Sequence, residues 1–246
     1  MANIDLLIDG DLLLYKTACG VEKEVRWDDE NHVLYSNRED GWGALTDWLK
    51  RLQDKFEPEN TVIALTGKGN FRKDLFPLYK GNRADNRKPL CYADLAERLK
   101  DNYHVVCYDR LEADDVLGIL ATKPSPNKRI IVSDDKDMAS IPSTVYAKGE
   151  VTTYTEEQAD YNHMFQTLTG DQADNYPGCP GIGPVKARAI LDKYKGGSLW
   201  AGVMSAFHKA DQSTDYALTQ ARLARILRWS DWDSVKKEPI LWTPTQ

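Results

Sequence analysis

Cysteine and histidine are scarce, with four of each in 246 residues. Cys19, Cys91, Cys107 and Cys179 are widely spaced and form no CxxC pair. That excludes a disulfide-stapled scaffold and argues against a structural zinc site. The histidines have no partner at ligand or triad spacing and are assigned no role. No apolar run approaches the ~18 residues of a membrane span. The opening MANIDLLIDGD is acidic and lacks the basic start of a secretory signal, so a cytoplasmic location is expected. Repeats and low-complexity segments are also missing. What is there is enough for a core: 41% of residues are hydrophobic and 28% charged, which is not a disorder composition.

Ile4–Ile8, Thr61–Leu65, His104–Tyr108 and Arg129–Val132 read as buried strands, with Val145–Ala147 a weaker fifth. Helical patterns lie between them at Trp42–Phe56, Tyr92–Asn102 and Asp114–Ala121. Alternating strands and helices predict an α/β fold with a mainly parallel central sheet flanked by helices. Val25–Trp27 and Val33–Tyr35 read as a small hairpin. Past about residue 155 the strand signals stop, and helices are expected at Val185–Tyr194 and about Tyr216–Arg228. The reading is an α/β unit over 1–155 and a helical region over 156–246. Trp27, Trp42, Trp48 and Trp200 are assigned to packing.

Open parallel sheets place ligand sites at the C-terminal ends of their strands. Asp9 follows the first strand. Glu112, Asp114 and Asp115 follow the third, and Asp134, Asp135 and Asp137 the fourth. An acid after a strand is commonly a helix N-cap, but three such clusters bring many carboxylates to one rim. Their mutual repulsion is relieved by a divalent cation. All-oxygen ligands point to Mg²⁺ or Mn²⁺, and the number of acids points to two ions, the arrangement that hydrolyses phosphodiesters in line. Leaving Asp134 aside and counting Asp171 and Asp174, eight acids belong to this cleft. Without them the net charge moves from −6 to +2, so the acidic total hides a mildly basic remainder.

Residues 68–88, KGNFRKDLFPLYKGNRADNRK, interleave Arg72, Lys73, Lys80, Arg83 and Arg87 with Phe71, Phe76 and Tyr79. Bases clamp phosphates and aromatics stack on bases. Lys80 and Arg83, three apart, share a face if helical. Further on, Asp171 and Asp174 have the same spacing. The turn PGCPGIGP then leads into a helix with Pro184 at its first position. Gly181 and Gly183 let the backbone approach a partner, and free N–H groups at a helix start bind phosphate. Lys186 and Arg188 add charge. This is a helix-hairpin-helix pattern over about 168–195.

Taken in order, IDGD, FRKxxxPxYKGNR, EADD, SDDKD and GDxxDNxPGxPGIGxxKA resemble the flap endonuclease/5′-nuclease superfamily. The resemblance is to the compact bacteriophage 5′–3′ exonucleases and to the 5′-nuclease domain of bacterial DNA polymerase I, and covers roughly residues 4–195. It implies that Asp9, Glu112 and Asp114 hold one metal ion, and that Asp115, Asp135, Asp137, Asp171 and Asp174 serve a second. Lys80 and Arg83 would engage the scissile phosphate from a gateway or arch over about 68–90. Arg72, Lys73, Tyr79, Arg87, Gly181, Ile182, Gly183, Lys186 and Arg188 would contact DNA, often with a potassium ion at the hairpin. Asp11 and Asp134 would stay behind the ligands or at the surface. One departure stands out: family members carry an Asp just after the second strand, where this chain has Gly67. The implied activity is two-metal hydrolysis near a 5′ end, nick or flap in DNA, by a monomer working beside replication proteins, with no membrane role. RNase H-like removal of RNA and non-catalytic junction binding are the alternatives.

Overall fold

The computed structural model describes residues 3–29, 31–83 and 86–244. The chain runs β1 (Ile4–Asp9), α1 (Gly10–Val21), β2 (Glu22–Arg26), β3 (His32–Ser36), α2 (Arg38–Phe56), β4 (Asn60–Thr66) and the one-turn α3 (Arg72–Leu75). It continues α4 (Tyr92–Asn102), β5 (Val105–Tyr108), α5 (Ala113–Thr122), β6 (Lys128–Val132), β7 (Thr144–Ala147), β8 (Glu150–Thr153) and α6 (Glu156–Thr169). It closes with α7 (Pro184–Lys193), α8 (Leu199–Lys209), α9 (Thr214–Ala224) and a short hairpin of β9 (Trp232–Asp233) and β10 (Glu238–Pro239).

Six strands form one sheet in the order β5-β4-β1-β6-β7-β8. The first five are parallel, and β8 returns antiparallel on β7. This is the expected α/β architecture. The strand runs are apolar on both faces because both faces are covered. Leu6 and Ile8 face α1, α2 and α4, together with Ile63, Leu65, Ile130 and Val132. Leu7, Ala64 and Ile131 point the other way, onto α5. A third core joins α6 through α9.

Among the described residues four helices escape the sequence patterns, the one-turn α3 and three longer ones. α1 is apolar around much of its circumference, α6 is mostly polar with only a weak apolar stripe, and α8 starts at a Ser198 cap directly after the Gly196-Gly197 pair. The expected helix at Tyr216–Arg228 ends at Ala224. Strand signals do not stop at 155, because β9 and β10 pair beyond it. Nor does the chain past 155 stay apart. Ile226, Leu227 and Trp232 return to the α5 face of the sheet. Leu227 N–H donates to Asp115 at 3.1 Å, and Trp229 N–H donates to Thr122 at 2.7 Å. Gly118 permits this close crossing, since a Cβ there would lie 2.3 Å from the Leu227 carbonyl oxygen. Among the described residues no helix is long and apolar enough to cross a membrane.

Candidate active site

Three of the strand-end acids do two things at once. Asp9 caps α1 and accepts from Leu12 N–H at 3.0 Å. Glu112 caps α5 in a capping box with Asp115. Asp135 caps the short turn 136–140, accepting from Asp137 N–H at 2.8 Å. Capping satisfies orphan amides and pins each carboxylate beside its strand end. The cap reading and the cleft reading therefore hold together.

One cleft of about 410 Å³ is lined by eight carboxylates: Asp9, Asp11, Glu112, Asp114, Asp135, Asp137, Asp171 and Asp174. Among the described residues only Lys80, Arg83 and Lys136 stand with them as cations. Asp171 and Asp174 do not share a helical face. They sit in a tight turn where Asp171 and Tyr176 exchange backbone hydrogen bonds. That turn is knitted to the basic segment: Lys80 N–H donates to the Asp174 carbonyl at 2.8 Å, and the Arg83 guanidinium reaches the Asp174 carboxylate at 2.7 Å. Lys80 occupies the left-handed region, φ 53°, a conformation non-glycine residues adopt at a cost. Its ammonium is thereby delivered to Glu112.

The charges in the cleft divide into two groups. Glu112 is held by Lys80 and Arg72, Asp174 by Arg83, and Asp171 by Lys136 at 3.0 Å. Although burial pushes Glu112 upward, Arg72 and Lys80 bring its carboxyl down to about 2. Lys136 similarly holds Asp171 low against its burial. Asp9, Asp11, Asp114 and Asp135 have no ion pair among the described residues. Burial, with Asp11 and Asp135 nearby, pushes Asp9 up to about 6, even though Leu12 N–H and the Ser133 hydroxyl (2.7 Å) stabilise its anion. Asp114 is raised well above the carboxylate range by burial and then by Asp9 and Asp135. Asp137 reaches about 6 for the same two reasons, burial and Asp135.

Four uncompensated carboxylates beside a half-compensated set make an all-oxygen donor site short of positive charge, which suits hard divalent ions. Among the described residues no three acids are already gathered as a ligand cage. Glu112 and Asp171 are folded onto lysines instead, so an arriving cation competes with Lys80 and Lys136.

Three expectations are corrected. Asp115 is fully buried, 0% exposed, and faces away from the cleft. Arg72 grips both its oxygens, at 2.7 and 2.8 Å. Arg72 is itself 3% exposed and also donates to the Leu223 and Arg225 carbonyls, so it is a fold-holding cation and not a DNA contact. Tyr79 is 2% exposed, with its hydroxyl between Glu112 and Asp174, and has no face free for a base. Asp11 takes the opposite course. Expected behind the site or at the surface, it lines the cleft, within 3.5 Å of both Tyr92 Oη and Thr66 N–H. Asp134 lies outside the cleft, paired with Lys16. Gly67 cannot be replaced by an acid in this backbone, because a Cβ would stand 1.9 Å from the Tyr108 carbonyl oxygen.

Lys73 is exposed, and Arg87 is tied to Glu22 at the base of the β2–β3 hairpin. Gly181, Gly183, Lys186 and Arg188 are exposed, and Ile182 is half-buried against the α6–α9 core. Sequence reasoning passed over Ser133, Lys136, Tyr92 and Gln166, whose side chains hold Asp9, Asp171, Asp11 and Asp137. Only Ser133 and Lys136 carry a local signal, lying inside the SDDKD run.

Residues 5–167 match the family described as 5′-3′ exonuclease, N-terminal resolvase-like domain. The chain is 30% identical to the exodeoxyribonuclease of Enterobacteria phage T3, over 97% of the chain and 92% of that protein. It is 29% identical to the exonuclease of Escherichia phage T7, over 97% and 93%. Its fold is similar to that of the bacteriophage T5 D15 flap endonuclease crystallised with DNA and metal ions. There the TM-score is 0.65 at 15% identity, covering 90% of this chain and 89% of that one.

Proposed function

The chain belongs to the 5′-3′ exonuclease family, whose N-terminal resolvase-like domain spans residues 5–167, and from that premise we propose that it hydrolyses DNA phosphodiesters at 5′ ends, nicks or flaps with Mg²⁺ or Mn²⁺. The observation that carries the reading is the cleft itself: eight carboxylates against three cations, four of them without any ion pair among the described residues. Asp9, Glu112 and Asp114, with Asp11 beside them, would hold one ion. Asp135, Asp137, Asp171 and Asp174 would hold the other. When bound, such ions activate water and stabilise the leaving oxygen.

The chain's own side chains prepare the rest. Lys80 and Arg83 rise from the same wall and meet a phosphate whose charge would otherwise be repelled by the acids. Ser133 and Leu12 N–H fix the Asp9 carboxylate. Arg72, by neutralising Asp115, keeps the start of α5 rigid beneath Glu112 and Asp114. The exposed Gly181–Gly183 turn with Lys186 and Arg188 would grip duplex backbone, and a potassium ion held by that turn would add positive charge there. Backbone contact makes recognition sequence-tolerant.

The test is digestion of 5′-labelled blunt, nicked and flapped duplexes, and of RNA:DNA hybrids, by purified protein. Short 5′ products that depend on Mg²⁺ are expected. Asp135→Asn should slow their release by about 100-fold or more, the scale set by removing one stabiliser from a preorganised site. A protein inert toward all these substrates in both Mg²⁺ and Mn²⁺ would overturn the reading.

A further inference from the structure

Among the described residues, two of the cleft's three cations are lysines that each bridge a pair of acids. Lys80 spans Glu112 and Asp174, and Lys136 spans Asp171 at 3.0 Å and Asp137 at 3.7 Å. The two bridges differ in how firmly they are built. Lys80 has a side chain only 21% exposed and a backbone N–H bound to the Asp174 carbonyl. Lys136 has a side chain 76% exposed, and its acids lie deeper than it does. It starts the short turn 136–140 that Asp135 caps, so its backbone is fixed at the rim while its four-carbon stem is free to swing. An ion pair this open to water holds weakly. Its position says more than its strength: among the described residues, both ion pairs of Lys136 are to acids assigned above to the second ion.

We propose that Lys136 is a stand-in for the second divalent ion, and that once displaced it binds a phosphate of the DNA. The inference rests on the proposed nuclease function and deepens it, tying the filling of the ion site to the grip on substrate. With no ion bound, one charge on a flexible stem offsets part of the repulsion between Asp137 and Asp171. Lys136 cannot keep that place against a divalent ion, which carries twice the charge and takes several carboxylate oxygens at once. It then loses both partners together. Its ammonium is left at the mouth of the cleft, beside Asp171, which opens the segment running to the exposed Gly181–Gly183 turn. A phosphate approaching the filled cleft is a new anion within its reach, and a lysine takes phosphate as a point charge. The exchange makes ions and DNA help each other bind, equally in both directions.

Lys136→Met keeps the stem and removes the charge, and at so exposed a position it should leave Tm close to the wild-type value. Two measurements test the proposal. In an EPR titration of the DNA-free protein, the variant should bind Mn²⁺ about 2- to 5-fold more tightly at one site, the weight of an exposed ion pair that no longer competes. Binding of a nicked duplex is then followed by fluorescence anisotropy against salt, in EDTA and in Ca²⁺, with strand integrity checked on a denaturing gel. In EDTA the two proteins should give the same log–log slope, since Lys136 is folded onto Asp171. In Ca²⁺ the variant's slope should be shallower by about 0.9, one duplex phosphate's worth. Unchanged or weaker Mn²⁺ affinity overturns the stand-in. A slope that differs in both conditions makes Lys136 a permanent contact, and one that differs in neither removes it from the DNA; either result overturns the exchange. Wild-type cleavage of 5′-labelled duplex in Mg²⁺, measured alongside, separates the two failures. Cleavage with no Lys136 effect sinks this inference alone, and no cleavage sinks the function beneath it.

Discussion

Arg72→Ala should unfold the protein's catalytic half more readily than it disturbs any contact with nucleic acid. In the wild-type chain the guanidinium makes two bonds to Asp115, one to Glu112 at 3.1 Å, and two to the carbonyls of Leu223 and Arg225. Removing it strands a carboxylate that is 0% exposed. Breaking a buried pair from one side costs about 3–5 kcal/mol, because the remaining charge keeps its desolvation penalty without its partner. For a chain of this size that is a fall in Tm of about 6–20 °C. Thermal unfolding followed by circular dichroism measures it. Arg72→Met with Asp115→Leu should recover much of the loss, since an apolar pair carries no desolvation cost. The reasoning is refuted if Arg72→Ala melts with the wild-type protein and instead loses about one unit of salt slope in DNA binding, the mark of a phosphate contact.

Three further outcomes follow from the cleft. Asp9 and Asp137 have folded pKa values raised to about 6. Their stabilising contribution, about 2–3 kcal/mol each, is full below pH ~4 and lost as pH rises through ~6. Because Mg²⁺ relieves that loss, it should raise Tm more at about pH 7.5 than at about pH 5, and equal shifts would contradict the assignment. Glu112, lowered to about 2, gives stability above its ordinary range and loses it only in strong acid, outside this window. Asp11→Asn should weaken Mn²⁺ binding about 10-fold, the loss typical of removing a group that shapes a metal site; an unchanged affinity by EPR titration would return Asp11 to the background. Gly67→Ala should cost about 2–3 kcal/mol by overpacking, read by urea denaturation, and a variant of full stability would show that the β5 end can retreat.

The sheet and most of the cleft were legible because each strand is a short apolar run and its acids follow within a few residues. IDGD, EADD and SDDKD are local signals of local geometry. What was not legible depends on distance along the chain. Nothing near Asp115 announces that its cation comes from Arg72, 43 positions earlier, or that an amide at Leu227 completes it. EADD therefore reads as three equivalent acids, although one of them is structural. Tyr79 reads as a stacking residue for the same reason, since its partners arrive from α5 and the 170–176 turn. Asp11 was passed over in the other direction. Its role rests on Tyr92, a residue of α4 that only the folded chain brings near.

The return of residues 223–232 over α5 carries a consequence for biosynthesis. On the ribosome, all eight cleft acids emerge before Leu223, yet Arg72 has no carbonyls to hold and Asp115 no Leu227 amide until that segment follows. A nascent chain that has made every cleft carboxylate still lacks the clasp that sets them. The potential to cut nucleic acid should thus be deferred until residues 223–232 have been made, and fragments that stop upstream of Leu223 should lack it.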